Sequence, residues 1–133
     1  MNKGFTLIEL ICVITILGLI ALIAVPTINT MIQKSKSDAY EEQIDTITKA
    51  ARTYMTKNSD KLPLQESGDS YCVTIVDMQK AGILDAEAIE NPLYKKDSTV
   101  EAEKYKTFTG GVKVEWNGNK YTYTYTYTNC KQN

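Results

Sequence analysis

Apolar residues run almost without interruption from position 5 to position 28, and then recur at three- and four-residue intervals to about position 58. The first run, at about 1.5 Å per helical residue, is long enough to cross a hydrocarbon core about 30 Å thick. Glu9 is the one charged residue within it. The second pattern predicts an amphipathic helix with one apolar stripe. Together they predict one long helix, apolar over residues 5–28 and amphipathic over residues 29–58.

Two residues inside the apolar run weaken a helix. Gly18 lowers helix propensity, and Pro26 lacks an amide hydrogen and clashes with the preceding turn. We therefore expect a break or bend near each of them. A cleaved secretory signal is the weaker interpretation, because the apolar run exceeds the usual signal length and continues past Pro26 into another helical pattern.

The remaining residues, 59–133, predict a small α/β cap. A short helix is expected over residues 73–84, with Val73, Val76, Met78 and Ile83 or Leu84 turned inward, followed by a turn at Asn91-Pro92. Period-two alternation then predicts two strands joined at Asn117-Gly118, and a further strand is expected over residues 100–109. The alternating residues that share a face are Val112, Val114 and Trp116 on one strand and Tyr121, Tyr123, Tyr125 and Tyr127 on the next. The predicted fold class is α+β.

Composition argues against most catalytic and nucleic-acid-binding functions. The chain has no histidine and a net charge of −1, so it lacks the commonest general base and metal ligand and has no dominant basic charge. No residues form a recognisable set of nucleophile, base and oxyanion donors. Four acidic residues of the cap lack a calcium-ligand loop: Asp77, Asp85, Glu87 and Glu90. We predict no enzyme activity, no cofactor, no metal and no direct nucleic-acid partner.

The three cysteines occupy different settings. Cys12 lies in the apolar run and is interpreted as a small packing residue, whereas Cys72 and Cys130 lie in the cap. If the cap is exported, a Cys72–Cys130 disulfide would close a loop of about 60 residues and stabilise it by a few kcal/mol. Two reduced, unrelated thiols are the alternative.

The segment KGFTLIE, residues 3–9, followed by the apolar run and Pro26, resembles the prepilin signature of type IV pilins and type II secretion pseudopilins. The resemblance implies a pilin fold, in which one long N-terminal helix packs on a small antiparallel β-sheet. Residues 1–4 would be a leader peptide, and the paired cysteines near the C-terminus are similar to those of many pilins.

The resemblance also assigns roles to three residues. A prepilin peptidase would cleave between Gly4 and Phe5, and the new amine of Phe5 would be N-methylated. Glu9 would form a salt bridge with the terminal amine of a neighbouring subunit during assembly. An isolated acidic side chain at the centre of a membrane helix costs about 2.5–3.5 kcal/mol. A cationic partner at the same depth would therefore favour the alignment of neighbouring subunits in which the two charges meet.

These features predict a structural subunit of a type IV pilus filament. It would be a single-pass protein of the cytoplasmic membrane before assembly and part of an extracellular surface filament afterwards. Its partners would be copies of itself and related pilins, the prepilin peptidase, a membrane assembly platform and membrane lipid. The alternatives are a pseudopilin of a type II secretion or competence (DNA-uptake) apparatus and, in another class, a monomeric membrane-anchored binding domain.

Overall fold

The computed structural model describes residues 3–66, 68–128 and 130. They form an α+β arrangement, as the sequence predicts. The elements in chain order are α1 (Leu7–Lys57), a 3-10 turn (Ser59–Lys61), β1 (Ser70–Thr74), α2 (Ile75–Lys80), α3 (Glu101–Lys104), β2 (Gly111–Trp116) and β3 (Tyr121–Thr126). Contacts divide the chain into two compact units, Met1–Lys36 and Ser37–Asn133.

The long helix is confirmed, and its amphipathic half belongs to the second unit from Ser37 onward. α1 is helical at every position from Leu7 to Lys57, and its ends lie within two residues of the predicted ones. Its buried side chains recur at the expected helical spacing because they lie on one face of the helix: Ile47, Ala50, Ala51, Tyr54 and Met55.

The hairpin is also confirmed. β2 pairs antiparallel with β3, and Val114 lies opposite Tyr123. The valines of β2 and the tyrosines of β3 therefore share one sheet face, which packs with the buried stripe of α1. The connecting loop is closed by Asn117, whose side-chain oxygen accepts the amide hydrogens of Asn119 at 3.1 Å and Lys120 at 2.9 Å.

The third strand is not the one expected. The predicted strand over residues 100–109 is wrong, because residues 101–104 form α3 and Thr107 makes an isolated bridge with Glu90. The third strand is β1, which pairs antiparallel with β2 and gives the order β1-β2-β3. A five-residue strand whose partner lies about forty residues later leaves little local signal.

The predicted helix over residues 73–84 is shorter than expected. Val73 lies in β1, and the helix begins at Ile75, because Thr74 and Asp77 form a capping box. The Asp77 amide donates to Thr74 Oγ1 at 3.0 Å, and the Thr74 amide donates to Asp77 Oδ2 at 3.3 Å. Burial shifts accordingly: Ile75 is buried, and Val76, expected to face inward, is 54% exposed.

Asn91 is the buried polar residue that holds the long loop before β2. Its side-chain nitrogen lies 2.7 Å from the Ala102 carbonyl oxygen and 2.8 Å from that of Tyr105. Its side-chain oxygen accepts the Leu93 amide hydrogen at 2.9 Å, which forms the predicted turn. These bonds satisfy an amide that would otherwise be costly to bury.

Candidate functional site

The residues before α1 leave the Gly4–Phe5 peptide bond outside the helix. Residues 3–6 have no regular secondary structure, and α1 begins at Leu7. The Phe5 side chain is 93% exposed. The bond that the sequence predicts to be cleaved is therefore in non-helical backbone, two residues before the first helical position. The first two residues of the predicted leader lie outside the described residues.

A capping box defines where α1 begins. The backbone N–H and the hydroxyl of Thr6 each donate to Glu9 Oε2 at 2.8 Å, and the Glu9 amide is 3.3 Å from Thr6 Oγ1. Thr6 thus acts as the N-cap and Glu9 as the third helical residue, which satisfies amide groups that a helix start leaves unpaired.

Sequence reasoning treated Glu9 as lacking a partner within its own chain and missed Thr6. The spacing Thr-x-x-Glu before an apolar run is a readable capping-box signal. Both hydrogen bonds from Thr6 end on Oε2, so Oε1 accepts no hydrogen bond from the described residues. Glu9 is also exposed in the isolated chain, so this oxygen remains accessible.

Side chains of the apolar half of α1 are largely exposed among the described residues. Among the described helices, α1 alone is long and apolar enough to cross a membrane, and its most apolar window has no buried residue. Leu19 and Ile20 are 59% and 57% exposed, typical of their neighbours. Burial of such a surface in lipid or against other helices is strongly favourable.

Gly18 and Pro26 both lie inside α1. A Cβ added at Gly18 would meet nothing within 4 Å, so no contact in the isolated chain explains the glycine. Next to Pro26, the Thr27 hydroxyl donates to the Ile23 carbonyl at 3.0 Å. The carbonyl that Pro26 leaves without its helical amide partner is that of Leu22. A break or bend of the helix at these residues stays a prediction.

The cysteine pair lies in the second unit. Cys72 and Cys130 form a disulfide, with their Cα atoms 5.4 Å apart and a separation of 58 positions in sequence. Cys72 is 1% exposed and lies on the sheet face opposite Val73, because side chains alternate along β1. The disulfide therefore joins the segment after β3 to the far edge strand of the sheet. Cys12 is a free, exposed thiol on α1.

The described residues offer no metal site. No group of three or more histidine, cysteine or acidic side chains within residues 3–66, 68–128 and 130 is arranged to hold a metal ion. The four acidic cap residues considered in the sequence do not converge on one.

Comparison with known proteins gives one finding, at the N-terminus. Residues 1–25 match the family model described as the prokaryotic N-terminal methylation motif. No curated protein and no solved structure matches the chain significantly. The matched residues include Gly4, Phe5, Thr6 and Glu9, the residues of the predicted cleavage bond and of the capping box. With the long helix and the small antiparallel sheet, this motif supports the type IV pilin and pseudopilin family and indicates a structural subunit.

Proposed function

We propose that the chain is a structural subunit of a type IV pilus filament. It is inserted in the cytoplasmic membrane through residues 5–28, cleaved between Gly4 and Phe5, N-methylated on Phe5 and polymerised through its N-terminal helix. Its partners are the prepilin peptidase, a membrane assembly platform, membrane lipid, other copies and related pilins. The observation that carries this proposal is the N-terminal motif, in which the Gly4–Phe5 bond lies outside the helix and Glu9 Oε1 accepts no hydrogen bond from the described residues.

Glu9 is the residue on which assembly depends in this proposal. Thr6 holds Oε2 and fixes the carboxylate against the first turn of α1, while Oε1 accepts nothing from the described residues of the isolated chain. Oε1 would accept a hydrogen bond from the Phe5 amine of a neighbouring subunit. A charged pair in a medium of low dielectric attracts strongly, and a misplaced subunit would leave the carboxylate without its cation. The intrachain cap thus positions the group, and the neighbour supplies the countercharge.

The N-terminal motif and Glu9 support assembly over a monomeric anchored domain, which would need neither leader cleavage nor a carboxylate in its apolar helix. Lipid would cover the apolar half of α1 before assembly, and the helices of neighbouring subunits would cover it in a filament. The second unit, in contrast, has its own core and needs no partner to bury it.

Glu9→Gln and Glu9→Ala test the proposal together. The glutamine variant keeps an oxygen that can accept the Thr6 hydrogen bonds but carries no charge, whereas the alanine variant removes both. We expect both variants to insert in the membrane, and both to lower the yield of filaments sheared from cells by about tenfold or more, as expected when one member of a buried charge pair is lost. Wild-type filament yield from Glu9→Gln would contradict the proposed pairing.

The destination of the assembled subunit separates pilus from secretion apparatus. A pilus subunit is recovered in the sheared extracellular fraction. Recovery of the mature chain in membranes alone would favour a pseudopilin of a secretion or competence apparatus.

A further inference from the structure

β3 is an edge strand of the sheet, because the strand order is β1-β2-β3. Its six residues, Tyr121–Thr126, pair with β2 without a bulge and include no proline, glycine or charged side chain. Tyrosine and threonine both favour extended backbone. Natural proteins usually protect an edge with a charge, a proline or a bulge, since its unpaired groups can bind another strand. β3 has none of these three protections.

The main-chain groups that β3 leaves unpaired belong to its tyrosines. At the turn, the Asn117 amide donates to the Lys120 carbonyl at 3.1 Å, and hydrogen-bonded pairs of an antiparallel ladder follow at alternate residues. The threonines of β3 therefore bond to β2, and the N–H and C=O groups of Tyr121, Tyr123 and Tyr125 point outward. Among the described residues, no main-chain hydrogen bond outside the ladder reaches these groups.

An open groove of about 670 Å³ lies beside this edge. It is lined by residues 123–128, whose tyrosines and threonines alternate between the two faces of the strand, so it includes the edge itself. Tyr40, Ile44 and Thr48 of α1 also line it. Glu101 is the one charged side chain in its lining, and it is exposed and forms no salt bridge with the described residues.

We propose that the β3 edge binds an extended segment of another polypeptide, which adds to the sheet as a fourth strand antiparallel to β3. A polypeptide backbone offers donors and acceptors at the spacing of a strand, so it satisfies the outward groups of the tyrosines. Side chains of the segment directly opposite these tyrosines lie on the same sheet face as they do. That face packs on α1, where Ile44 lies, so apolar residues are favoured at those positions.

The charge at one end of the groove gives the bound segment a direction. The Tyr127 hydroxyl lies 3.4 Å from the Ala102 carbonyl oxygen, so the adjacent Glu101 lies near the C-terminal end of β3. In antiparallel pairing, the N-terminal end of the segment meets this end of the strand. A lysine or arginine there would be attracted to Glu101, whereas an acidic residue would be repelled.

A second copy of the chain fits this edge less well. Two β3 strands that keep their tyrosines on one common face pair antiparallel about a two-fold axis, which turns the two α1 helices in opposite directions. Copies anchored in one membrane through α1 would run parallel. At the other edge of the sheet, Cys72 of β1 is joined to Cys130. The inference concerns the second unit alone and does not depend on the proposed function.

Peptides with methylated backbone nitrogens test the pairing. The probe is the fluorescein-labelled peptide Lys-Thr-Val-Thr-Val-Thr-Val, whose valines would lie opposite the tyrosines of β3. One form is methylated on its threonine nitrogens and the other on its valine nitrogens, so the side chains of the two forms are identical. Fluorescence anisotropy measures binding of each form to the full chain in detergent micelles.

The threonine-methylated peptide should bind, and the valine-methylated peptide should bind at least about tenfold more weakly, because it lacks the N–H donors that face β3. Glu101→Lys should weaken binding of the threonine-methylated peptide by about threefold, a size typical of exposed charge pairs. The same variant should strengthen binding of a peptide that begins with glutamate. Glu87→Lys, a matched control at an exposed position outside the groove, should change neither affinity.

Amide hydrogen exchange, followed by NMR, locates the contact on the strand. In the free chain, the outward amides of Tyr121, Tyr123 and Tyr125 should exchange faster than the amides of the threonines between them. The threonine-methylated peptide should slow exchange of these tyrosine amides. A general stabilisation of the cap would slow the amides of both residue types.

Three results would overturn the inference. The first is no saturable binding of the threonine-methylated peptide up to about 1 mM. The second is equal binding of the two methylated forms. The third is a dimer of the wild-type chain in detergent that the peptide dissociates, since a second copy would then occupy the edge. None of these results bears on Glu9 or on assembly of filaments.

Discussion

The two halves of α1 carry similar apolar side chains in opposite surroundings. Ile16, in the apolar half, is 57% exposed, whereas Ile47, in the amphipathic half, is completely buried. Ile47 packs with Val73, Val112 and other residues of the same unit, so its partners are encoded in the same chain. Ile16 has no comparable packing among the described residues. One helix thus combines a part that completes a folded core with a part whose apolar surface the described residues leave exposed.

Among the changes that compare the two parts of the chain, removal of the disulfide should have the largest effect on stability. Replacing Cys72 and Cys130 by alanine should lower the free energy of unfolding of the second unit by about 4 kcal/mol, because the bond joins residues 58 positions apart. Replacing Cys12 by alanine should change that free energy by less than about 0.5 kcal/mol, since this thiol is exposed outside the unit. Denaturant titration of the full chain in detergent, followed by Trp116 fluorescence, measures both. Equal effects of the two changes would contradict the division.

Isoleucine truncation compares the two halves directly. Ile47→Ala should destabilise the second unit by about 3 kcal/mol, because it opens a cavity in a fully packed core. Ile16→Ala removes the same atoms from an exposed position and should leave the unfolding midpoint of this unit unchanged. The same titration measures both variants. A loss of stability from Ile16→Ala as large as that from Ile47→Ala would show that the second unit depends on the apolar half.

A smaller loss of stability is expected at alkaline pH, and only in the second unit. Burial raises the pKa of Tyr125 and Tyr127, whose hydroxyls donate to the Thr109 carbonyl at 2.5 Å and to the Tyr40 hydroxyl at 3.1 Å. Unfolded tyrosine has a pKa of about 10, while these two stay protonated in the folded state. The unfolded state therefore binds fewer protons above about pH 10, and the free energy of unfolding falls as pH rises.

Tyr127→Phe should flatten this decline, although it is less stable at neutral pH because it removes a buried hydrogen bond. Urea titrations from about pH 8 to about pH 11, which bracket the pKa of unfolded tyrosine, measure the slope in wild type and variant. An identical slope in the two proteins would mean that Tyr127 does not contribute to the pH dependence.

The helix and the hairpin could be predicted from the sequence because their signals are local. Three- and four-residue periodicity places Ile47 and Tyr54 on one face, and Asn117-Gly118 lies between two alternating strands. Both elements keep their predicted type, and α1 keeps its ends to within two residues.

Elements that depend on distant partners were missed. β1 is five residues long, and its pairing with β2 is set by tertiary contacts that no local pattern shows. The residues after Val100 show a weak alternation of apolar and polar side chains, and a strand was predicted there. They form α3 instead, where Glu103 pairs with Lys95 at 2.6 Å. In contrast, the first residues of α1 and α2 could have been predicted from the sequence, because Thr6-x-x-Glu9 and Thr74-x-x-Asp77 are both capping boxes.

For the candidate site, the sequence predicts which residues form the N-terminal motif but not how their side chains are oriented. Gly4, Phe5 and Glu9 come from a linear motif, so their spacing could be read directly. That Thr6 donates to Glu9 Oε2, while Oε1 accepts no hydrogen bond from the described residues, depends on side-chain orientation. The neighbouring subunit that would use Oε1 is not encoded in any intrachain contact of the described residues.

Mass spectrometry of the N-terminal peptide, from material sheared from cells, tests processing followed by assembly into a surface filament. We expect a peptide that begins at Phe5 and carries an added methyl group, recovered in the sheared fraction. A peptide that retains Met1 in every fraction would rule out the proposed function, since the chain would then be an unprocessed membrane anchor.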